Sequence, residues 1–362
     1  MRIGIAAAGS GGHVFPALAV ADAMVAMGLT KDDIIFFGGD RMEADTVPGA
    51  GYPFVQVDMH GIRRSLSTDN FTLPLKIKRA TTVVSNTIEE RDIGAMVVFG
   101  GYVSGPAGRA ARKRGIPLII HEANAVPGVA NRMLASSATT VYLAFEPARA
   151  KLRNGIVVGN PLRQVFEAFD REGRRSTARD LYGIDRDATV LGVFGGSLGS
   201  AALNEIAAQV ATDESRSFHV LHLTGAPHYD QVASSAADVD GWTVVPFEKE
   251  MEWFYAASDV VISRAGAITV SELHATATPA ILVPLPAGKG YQAQNAADLV
   301  DGGGGIVIAQ EHKEEIIAAA IDLLADETKR KTMTETAIAS RHSGVAATIA
   351  AHVLEVARND AK

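Results

Sequence analysis

The sequence predicts an α/β protein with two domains, each built on a doubly wound parallel sheet. Short apolar, β-branched runs alternate with helical patterns, glycine-rich turns join several of these runs to the next helix, and the cycle starts again near residue 190. Such alternation is typical of parallel sheets, whose ligands bind at the carboxyl ends of the strands. At 362 residues the chain also exceeds what one hydrophobic core usually supports. We therefore expect a site at the carboxyl edge of each sheet.

The composition restricts the classes of function. Apolar residues make up 47% and charged residues 21% of the chain, which is ordinary for an α/β enzyme. The absence of cysteine excludes disulfides, thiolate metal sites and a cysteine nucleophile. A net charge of −7 argues against general nucleic-acid binding. No apolar run approaches the roughly 20 residues of a membrane span and no export signal is recognisable, so we expect a cytosolic protein.

The first predicted strand, residues 3–8, leads into the glycine-rich turn Gly9-Ser10-Gly11-Gly12-His13 and a helical pattern. The spacing of the turn fits neither a dinucleotide fingerprint nor a P-loop, so neither NAD nor ATP is indicated. Its amides can still form a concavity for an anion or a sugar. His13 lies at the mouth of this turn, where both a catalytic and a structural role are open.

Further strands of the first domain are predicted at residues 34–38, 54–57, 95–99, 118–121 and 140–143. Two of them end in unusual loops, residues 100–106 and 121–128. Glycines in these loops allow the backbone to approach a ligand, and Tyr102, Glu122 and Asn124 supply polar groups. Ordinary turn formation explains glycine, proline and Asn124 as well.

Residues 60–80 combine basic and apolar side chains. This pattern suits docking on an anionic membrane, and a solvated loop that leads into a core-packed helix explains it equally. The segment that we expect at the membrane consists of Arg63, Arg64, Phe71, Leu73, Leu75, Lys76, Lys78 and Arg79. A second basic group consists of Arg109, Arg112, Lys113 and Arg114.

Residues 159–163 predict a hinge, because Pro161 forces the preceding residue into an extended conformation. The polar segment 170–187 is interpreted as the domain boundary. We divide the chain into residues 1–161, residues 162–341 and a C-terminal helix within residues 342–362 that packs back on the first domain. Strands of the second domain are predicted at residues 190–194, 219–224, 242–245, 259–263 and 280–283.

Residues 259–272 give the clearest signal of a ligand site: a β-branched strand, a turn of small residues and a helix start. Gly266 lets the backbone come close to a ligand, and the first helical amides, near Ala267 and Ile268, suit a diphosphate. One turn further on, Glu272 can accept two hydrogen bonds from a ribose diol. Its preference for the positive end of the helix is the simpler alternative.

These motifs together resemble the MurG family, bacterial glycosyltransferases of peptidoglycan synthesis, over nearly the whole chain. The resemblance implies the GT-B fold, in which two Rossmann-like domains face each other across a cleft. The motifs that carry it are Gly-Ser-Gly-Gly-His-Val-Phe-Pro-Ala from Gly9, Gly-Gly-Tyr-Val-Ser-Gly-Pro from Gly100, His-Glu-Ala-Asn from His121, Gly-Asn-Pro-Leu-Arg from Gly159, Gly-Gly-Ser-Leu-Gly from Gly195 and Arg-Ala-Gly-Ala-Ile-Thr-Val-Ser-Glu from Arg264.

The resemblance implies that the donor is UDP-N-acetylglucosamine (UDP-GlcNAc) and that it binds mainly to the second domain. Glu272 would hold the ribose, the backbone near Glu248 the uracil, and Gln292 the GlcNAc hydroxyls. The whole implied set of donor contacts is Ser10, Gly11, Gly12, Asn124, Arg163, Ser197, Glu248, Ala267, Ile268, Thr269, Val270, Ser271, Glu272 and Gln292. Two departures from the family pattern, Gly290-Tyr291 before Gln292 and Leu198 in place of a common glutamine, put the sugar contacts in doubt.

The implied acceptor is lipid I, undecaprenyl-pyrophosphoryl-N-acetylmuramyl-pentapeptide, bound near Gly101, Tyr102 and Asn124. GlcNAc would be transferred with inversion to the 4-hydroxyl of N-acetylmuramic acid (MurNAc), giving lipid II. The enzyme would be peripheral on the cytoplasmic face of the cell membrane. Other cell-wall synthesis proteins are expected partners, and the process serves cell shape and division.

Inversion requires a base opposite the leaving group, and the candidates are His13 and Glu122. We favour His13, because the ordinary pKa of histidine suits the task without tuning. Helix N-termini and loop amides can stabilise the departing diphosphate, so no metal or other cofactor is expected. A UDP-GlcNAc 2-epimerase of the same architecture, which needs no lipid acceptor, and a non-catalytic scaffold are the alternatives.

Overall fold

The computed structural model describes residues 1–59, 69–286 and 291–360. They form two compact units, one of residues 1–164 with 344–362 and the other of residues 165–343. Each unit contains one parallel sheet with helices between its strands, which confirms the predicted fold class. Arg63 and Arg64 of the expected membrane segment lie outside the described residues, as does Gly290.

The first unit contains a seven-stranded sheet in the order β3-β2-β1-β4-β5-β6-β7. Its strands are β1 Arg2–Ala6, β2 Ile34–Gly38, β3 Phe54–Gln56, β4 Ile93–Val98, β5 Leu118–Glu122, β6 Thr140–Leu143 and β7 Ile156–Val157. Its helices are α1 Gly11–Ala26, α2 Glu43–Gly49, α3 Asp69–Glu90, α4 Ser104–Arg114, α5 Val129–Leu134 and, at the end of the chain, Val345–Asp360.

The second unit contains a six-stranded sheet in the order β10-β9-β8-β11-β12-β13. Its strands are β8 Val190–Phe194, β9 His219–Leu223, β10 Trp242–Val245, β11 Val260–Ser263, β12 Ala280–Leu282 and β13 Gly305–Val307. The helices from residue 164 onward are α6 Gln164–Glu167, α7 Arg171–Leu181, α8 Ala201–Ala211, α9 Tyr229–Ala236, α10 Met251–Ala257, α11 Ala267–Ala275, α12 Tyr291–Asn295, α13 Ala297–Asp301, α14 Lys313–Ala325, α15 Glu327–Ser340 and, closing the chain, α16 Val345–Asp360.

Strands β2, β5, β8, β11 and β12 are buried along their whole length, which explains why they read as continuous apolar runs rather than as alternating patterns. In β1, Ile3 and Ile5 point into one core layer and Ala6 into the other. Helix α16 contributes Ile349 and Val353 to the layer that contains Ile3 and Ile5. The last helix therefore covers one face of the first sheet.

Residues 170–187, interpreted as the domain boundary, lie inside the second unit and contain helix α7. Arg175 and Arg179 both reach Asp259, with N–O distances of 2.5 and 2.9 Å, and Arg179 is 1% exposed. The same carboxylate accepts a hydrogen bond from the amide of Val190 at 2.8 Å. Asp259 thus holds the first strand of the second sheet and the helix α7 together through buried charge.

Removing this carboxylate is expected to destabilise the second unit strongly. Asp259→Ala leaves the buried Arg179 without its counter-ion, and breaking a buried ion pair from one side typically costs about 3–5 kcal/mol. Thermal unfolding followed by circular dichroism measures the effect. The matched control is Asp180→Ala, which removes the exposed partner of Arg186 and should leave the melting temperature unchanged. Equal melting temperatures for both variants would show that Asp259 is not an anchor.

Candidate functional site

In the first unit, a buried carboxylate joins three loops at the carboxyl edge of the sheet. Glu43, the first residue of α2, is 0% exposed. Its Oε2 accepts from the amide of Gly9 at 3.1 Å, and its Oε1 accepts from the amide of Gly39 at 3.0 Å and from the Tyr102 hydroxyl at 2.9 Å. These partners follow β1, β2 and β4, which are neighbours in the sheet. We call Glu43 with its three partners the Glu43 cluster.

Glycine is required where the loops of this cluster meet. A Cβ on Gly39 would lie 1.9 Å from the Tyr102 hydroxyl oxygen, and one on Gly101, whose φ is +81°, would lie 2.1 Å from the carbonyl oxygen of Ala8. Burial, and then the adjacent Glu43 carboxylate, raise the pKa of Tyr102 above its usual range. Tyr102 therefore stays a neutral hydrogen-bond donor to Glu43, and it is fixed at the edge where the acceptor was predicted.

His13, in the first turn of α1, is oriented by contacts of its Nδ1 atom. Its Nδ1 lies 3.1 Å from the carbonyl oxygen of Ala8 and 3.3 Å from the Ser10 hydroxyl. Because a carbonyl oxygen only accepts, Nδ1 carries the proton and the lone pair of neutral imidazole is on Nε2. Nε2 faces Gly100, where an added Cβ would lie only 2.8 Å away.

The surroundings of His13 also set its protonation state. Burial lowers its pKa below 6.5, although the Ala8 carbonyl and the Glu43 charge act in the opposite direction. The imidazole is therefore neutral at pH 7.

The backbone amides of Gly11 and Gly12 belong to the first turn of the same helix, where N–H groups have no partner within the helix.

Glu122 is bound on both oxygens by its own loop. It is 3% exposed; Oε1 accepts from the Asn124 amide at 3.0 Å, and Oε2 accepts from the Gly128 amide at 3.0 Å and from Asn131 Nδ2 at 2.9 Å. Burial raises the pKa of Glu122, while these hydrogen bonds lower it. These contacts fix the shape of the loop and orient the half-buried Asn124.

The segment after β7 is attached to the same edge. His121 Nε2 lies 3.0 Å from the carbonyl oxygen of Gly159, and Asn160 Nδ2 donates to the carbonyl oxygen of Ala123 at 3.2 Å. Complete burial lowers the pKa of His121 to about 4, so this ring is neutral. The half-buried Arg163 lies three residues after Asn160.

In the second unit, the predicted donor loop lies between β11 and α11. Gly266 is the N-terminal cap, with φ −66° and ψ 144°, and the following amides of Ala267, Ile268 and Thr269 form the first turn. Ala267 and Val270 are buried, and the amide of Val270 already donates to the carbonyl oxygen of Gly266 at 2.9 Å. Ile268, Thr269 and Ser271 are half-buried. The helix start thus offers several amides to an anion.

Glu272 is half-buried on α11, and its Oε2 accepts a hydrogen bond from the Tyr255 hydroxyl at 2.8 Å. A carboxylate has about four lone-pair sites, so this bond orients the group without exhausting it. The geometry is compatible with the predicted ribose contact.

Arg264 is a site residue whose role the sequence did not reveal. It is 7% exposed and donates to Ser200 Oγ at 2.7 Å, Gln310 Oε1 at 2.6 Å and the carbonyl oxygen of Val283 at 3.1 Å. These partners follow β8, β13 and β12, so one side chain connects the loops around the predicted diphosphate site. All three are neutral oxygens, and its positive charge is left to attract an anion at this edge. Its position at the start of the motif from Arg264 to Glu272 is the feature of the sequence that could have marked Arg264 as a candidate.

The remaining donor candidates lie on separate loops. Ser197 is exposed in the turn after β8, next to Leu198, which is 76% exposed. Glu248 follows β10, two strands from β8, and accepts from the Tyr182 hydroxyl at 2.7 Å. The Oε1 atom of Gln292 accepts from the amide of Leu285 at 2.9 Å. Ser197 follows β8 and the start of α11 follows the neighbouring strand β11, whereas Glu248 follows β10, which is three strands from β11.

In the described part of the chain, no cluster of three or more histidine, aspartate or glutamate side chains could hold a metal ion. Two Asp-x-Asp sequences occur, at residues 185–187 and 238–240. They precede β8 and β10 and so lie at the amino edge of the sheet, opposite the donor loop.

The expected membrane segment is described only from α3 onward. Leu75 is 52% exposed, Lys78 and Arg79 are exposed, and Lys76 is half-buried, whereas Leu73 packs in part against the core. The side chain of Phe71 lies outside what the structure describes. None of the helices among the described residues combines the length and apolar character that a membrane span requires.

Comparison with known proteins gives matches in both units. Residues 3–143 match the glycosyltransferase family 28 N-terminal domain, and residues 190–349 match the glycosyltransferase family 28 C-terminal domain. A curated relative from Mycolicibacterium smegmatis is 37% identical over 98% of this chain and 94% of its own length, and one from Acidothermus cellulolyticus is 34% identical over 92% of both. Both are named UDP-N-acetylglucosamine--N-acetylmuramyl-(pentapeptide) pyrophosphoryl-undecaprenol N-acetylglucosamine transferase.

Solved structures agree with these matches. MurG from Acinetobacter baumannii superposes with a TM-score of 0.75 at 28% identity, covering 98% of this chain and all of that one. A UDP-GlcNAc 2-epimerase from Neisseria meningitidis, bound to UDP-GlcNAc, gives a TM-score of 0.67 at 13% identity over 98% of this chain and all of that one. At that identity the second likeness shows a common fold alone.

Proposed function

Because this chain belongs to glycosyltransferase family 28, with MurG-type relatives that match it over nearly its whole length, we propose that it carries out the transfer for which those relatives are named. The protein moves GlcNAc from UDP-GlcNAc to the MurNAc 4-hydroxyl of lipid I and so makes lipid II. The observation that carries this proposal is the 37% identity over 98% of the chain. The contacts of the loops at the carboxyl edge of each sheet support it.

The second unit binds the donor in this proposal. The first amides of α11 and the turn at Ser197 receive the diphosphate, and Glu272 receives the ribose hydroxyls. The buried charge of Arg264 lies beneath these loops, held by neutral oxygens. Preorganised amides and a fixed positive charge stabilise the negative charge that develops on the leaving UDP.

The first unit supplies the base. His13 Nε2 accepts the proton of the MurNAc 4-hydroxyl while that oxygen attacks the anomeric carbon of GlcNAc. The bond from this carbon to the diphosphate oxygen breaks, and its electron pair leaves with UDP. One displacement at one carbon inverts its configuration. The Glu43 cluster holds the loop at Tyr102, and Glu122 holds Asn124, so that the acceptor sugar meets fixed groups.

Transfer is expected to need no divalent cation, because the α11 amides and Arg264 take the part that a metal has in other transferases. Initial rates measured with excess EDTA should equal those measured with added magnesium. A control with a magnesium-dependent transferase in the same buffer checks that the chelator is effective. Loss of activity in EDTA that returns with magnesium would refute this part of the proposal.

The membrane contact is proposed at α3, since the acceptor is lipid-linked in the names of the relatives. Neutralising Lys76, Lys78 and Arg79 with glutamine should weaken binding to anionic vesicles on the order of 10²-fold at low salt, because each basic residue near such a surface contributes about 1 kcal/mol. The difference should shrink as salt screens the surface. Vesicle sedimentation measures it, and transfer to a short-chain soluble acceptor should stay near normal.

The matched control neutralises three exposed lysines of the second unit, Lys249, Lys329 and Lys331, and should leave vesicle binding unchanged. If the α3 variant sediments like the parent, α3 is an ordinary solvated helix face. The site would then be sought at residues 109–114.

The function is tested by incubating the purified protein with labelled UDP-GlcNAc, with and without a lipid I analogue. Label should appear in the lipid fraction, together with one UDP for each sugar transferred, only when the acceptor is present. Conversion of UDP-GlcNAc without acceptor, with no label in lipid, would instead support the epimerase.

A further inference from the structure

The hydrogen bonds of Glu43 and His13 meet at one peptide unit, which joins Ala8 to Gly9. Its N–H donates to Oε2 of Glu43 at 3.1 Å, and its carbonyl oxygen lies 3.1 Å from Nδ1 of His13. The peptide is trans, so its N–H and C=O point in opposite directions and the two side chains lie at its two ends. We call the Glu43 carboxylate, this peptide unit and the His13 imidazole the Glu43–His13 link.

The Glu43 end of the link is a buried charge held by neutral groups. Glu43 is 0% exposed, and the amides of Gly9 and Gly39 and the hydroxyl of Tyr102 all donate to it. An ionised carboxylate only accepts hydrogen bonds, so these donors match its charged form. They orient the negative charge without cancelling it. In a site shielded from water, such a charge acts on its neighbours more strongly than at the surface.

The peptide unit transmits this charge to the imidazole. Resonance couples the N–H of a peptide to its C=O, and an N–H that donates to an anion leaves more negative charge on the carbonyl oxygen. This is the cooperative strengthening of hydrogen bonds that follow one another. The carbonyl oxygen of Ala8 therefore becomes a better acceptor for the Nδ1–H of His13, which keeps the lone pair on Nε2.

The titratable groups that face the link come from several elements. Besides Glu43, they are His121 on β5 and Tyr102 in the loop after β4, with Asp40 and Arg41 acting on Tyr102. Burial lowers the pKa of His121 to about 4 and raises the pKa of Tyr102, so both are neutral. Burial also lowers the pKa of His13, and the Ala8 carbonyl and the Glu43 charge act in the opposite direction. Glu43 is thus the charge that supports a proton on His13.

We propose that Glu43 is a positioning residue of the transfer reaction, which acts on His13 through the Ala8–Gly9 peptide as the buried carboxylate of a Ser-His-Asp triad acts directly on its histidine. This inference rests on the proposed function, because the base that Glu43 supports is His13. When Nε2 takes the proton of the acceptor hydroxyl, His13 becomes an imidazolium whose other proton stays on Nδ1. The link stabilises that positive charge, and no proton passes through the peptide.

Glu43→Gln tests the charge with little change of shape, because glutamine is neutral and accepts at only one of its two terminal atoms. In an NMR titration without substrates, the pKa of His13 should be lower than in the parent. The chain has ten histidines, and the signal of His13 is the one missing from His13→Gln. The kcat should fall on the order of 10- to 10²-fold, which is less than the roughly 10⁴-fold effect of a triad carboxylate that contacts its histidine directly.

The pH profile separates this role from loop support. In Glu43→Gln the limb of kcat/KM that rises with pH should move to lower pH, in step with the pKa of His13. Tyr102→Phe removes a support of the Glu43 cluster but keeps the carboxylate and its bond to Gly9, so the pKa of His13 should stay close to the parental value. If Glu43→Gln changes only the melting temperature and the acceptor KM, Glu43 is structural and the proposal is overturned.

Asp45→Asn is the matched control. Asp45 is exposed in the first turn of the same helix, and the variant loses the same charge as Glu43→Gln. The pKa of His13 and the kcat should stay at parental values. A decrease as large as that in Glu43→Gln would assign the effect to the general charge of this region and contradict the link.

A backbone variant decides the question even if Glu43→Gln fails to fold. Glycolic acid incorporated at position 9 replaces the Ala8–Gly9 amide by an ester, which removes the N–H that donates to Glu43 and leaves every side chain in place. The pKa of His13 and the kcat should both fall, and adding Glu43→Gln should have a less than additive effect. Parental values of both quantities in the ester variant would overturn the proposal.

The titration also separates this inference from the proposed function, because it needs no transfer. If the pKa of His13 depends on Glu43 while the parent transfers no sugar, the proposed function is contradicted and the coupling of Glu43 to His13 is supported. If the parent transfers sugar and the pKa of His13 is the same with and without the Glu43 charge, the proposed function stands and this inference is overturned.

Discussion

Replacing His13 by glutamine is expected to lower kcat by about 10²–10⁴-fold, the range that general acid–base catalysis typically contributes. The substitution keeps a polar side chain of similar length but removes the lone pair of Nε2. The KM for UDP-GlcNAc should change little, because the ribose and diphosphate contacts proposed for the donor belong to the second unit. Steady-state kinetics with both substrates varied measure kcat and the two KM values separately.

The pH dependence gives an independent check of the same role. Burial lowers the pKa of His13 below 6.5, and the base works only when it is unprotonated. The kcat/KM of the parent should therefore rise with pH through a pKa below 6.5 and be constant above it. His13→Gln should lose this limb.

Glu122→Gln should be measured together with His13→Gln, because it tests the other candidate base. Because Glu122 accepts bonds from its own loop on both oxygens, the amide should disturb Asn124 and raise the acceptor KM while the pH limb remains. If Glu122→Gln loses the limb and His13→Gln retains it, the two roles are reversed.

Replacing Glu272 by alanine is expected to raise the KM for UDP-GlcNAc by on the order of 10²-fold or more. Each hydrogen bond to a charged group is worth about 1.5–3 kcal/mol, and a ribose diol can make two with one carboxylate. Calorimetric titration with UDP alone should show a loss of affinity of similar size, because the ribose is common to both ligands.

Two control variants are measured together with Glu272→Ala. Tyr255→Phe removes the hydroxyl that orients Glu272 and should cause a smaller loss of the same kind. Glu315→Ala, an exposed glutamate on α14, should have no effect on the donor. Unchanged UDP affinity in Glu272→Ala would contradict the ribose contact.

The sheets could be predicted because a strand buried on both faces leaves a continuous apolar run, and glycine marks the loops that follow. Two strands were missed: β7 has only two residues, and β13 has three, of which the first is Gly305. Residues 170–187 were interpreted as a boundary because their charges look solvated. The partner that buries Arg179 is Asp259, 80 positions away along the chain.

The candidate sites, too, depend on partners that are distant along the chain. Candidates such as His13 and Glu272 follow strand ends and could be found one at a time. Glu43 resembles any acidic residue that favours the start of a helix, and its importance depends on Gly9, Gly39 and Tyr102, which come from three loops. Arg264 likewise derives its role from partners on three other loops. Such clusters exist only after the chain has folded.

The NMR spectrum of the isolated product shows directly whether the protein is an inverting transferase that acts on lipid-linked MurNAc. We expect a disaccharide in which GlcNAc is joined to the 4-oxygen of MurNAc and shows the large coupling between H1 and H2 of a β-linked sugar. An α-linked disaccharide would contradict the inverting displacement, and a product in which the sugar remains on UDP with its 2-position epimerised would contradict the transferase itself.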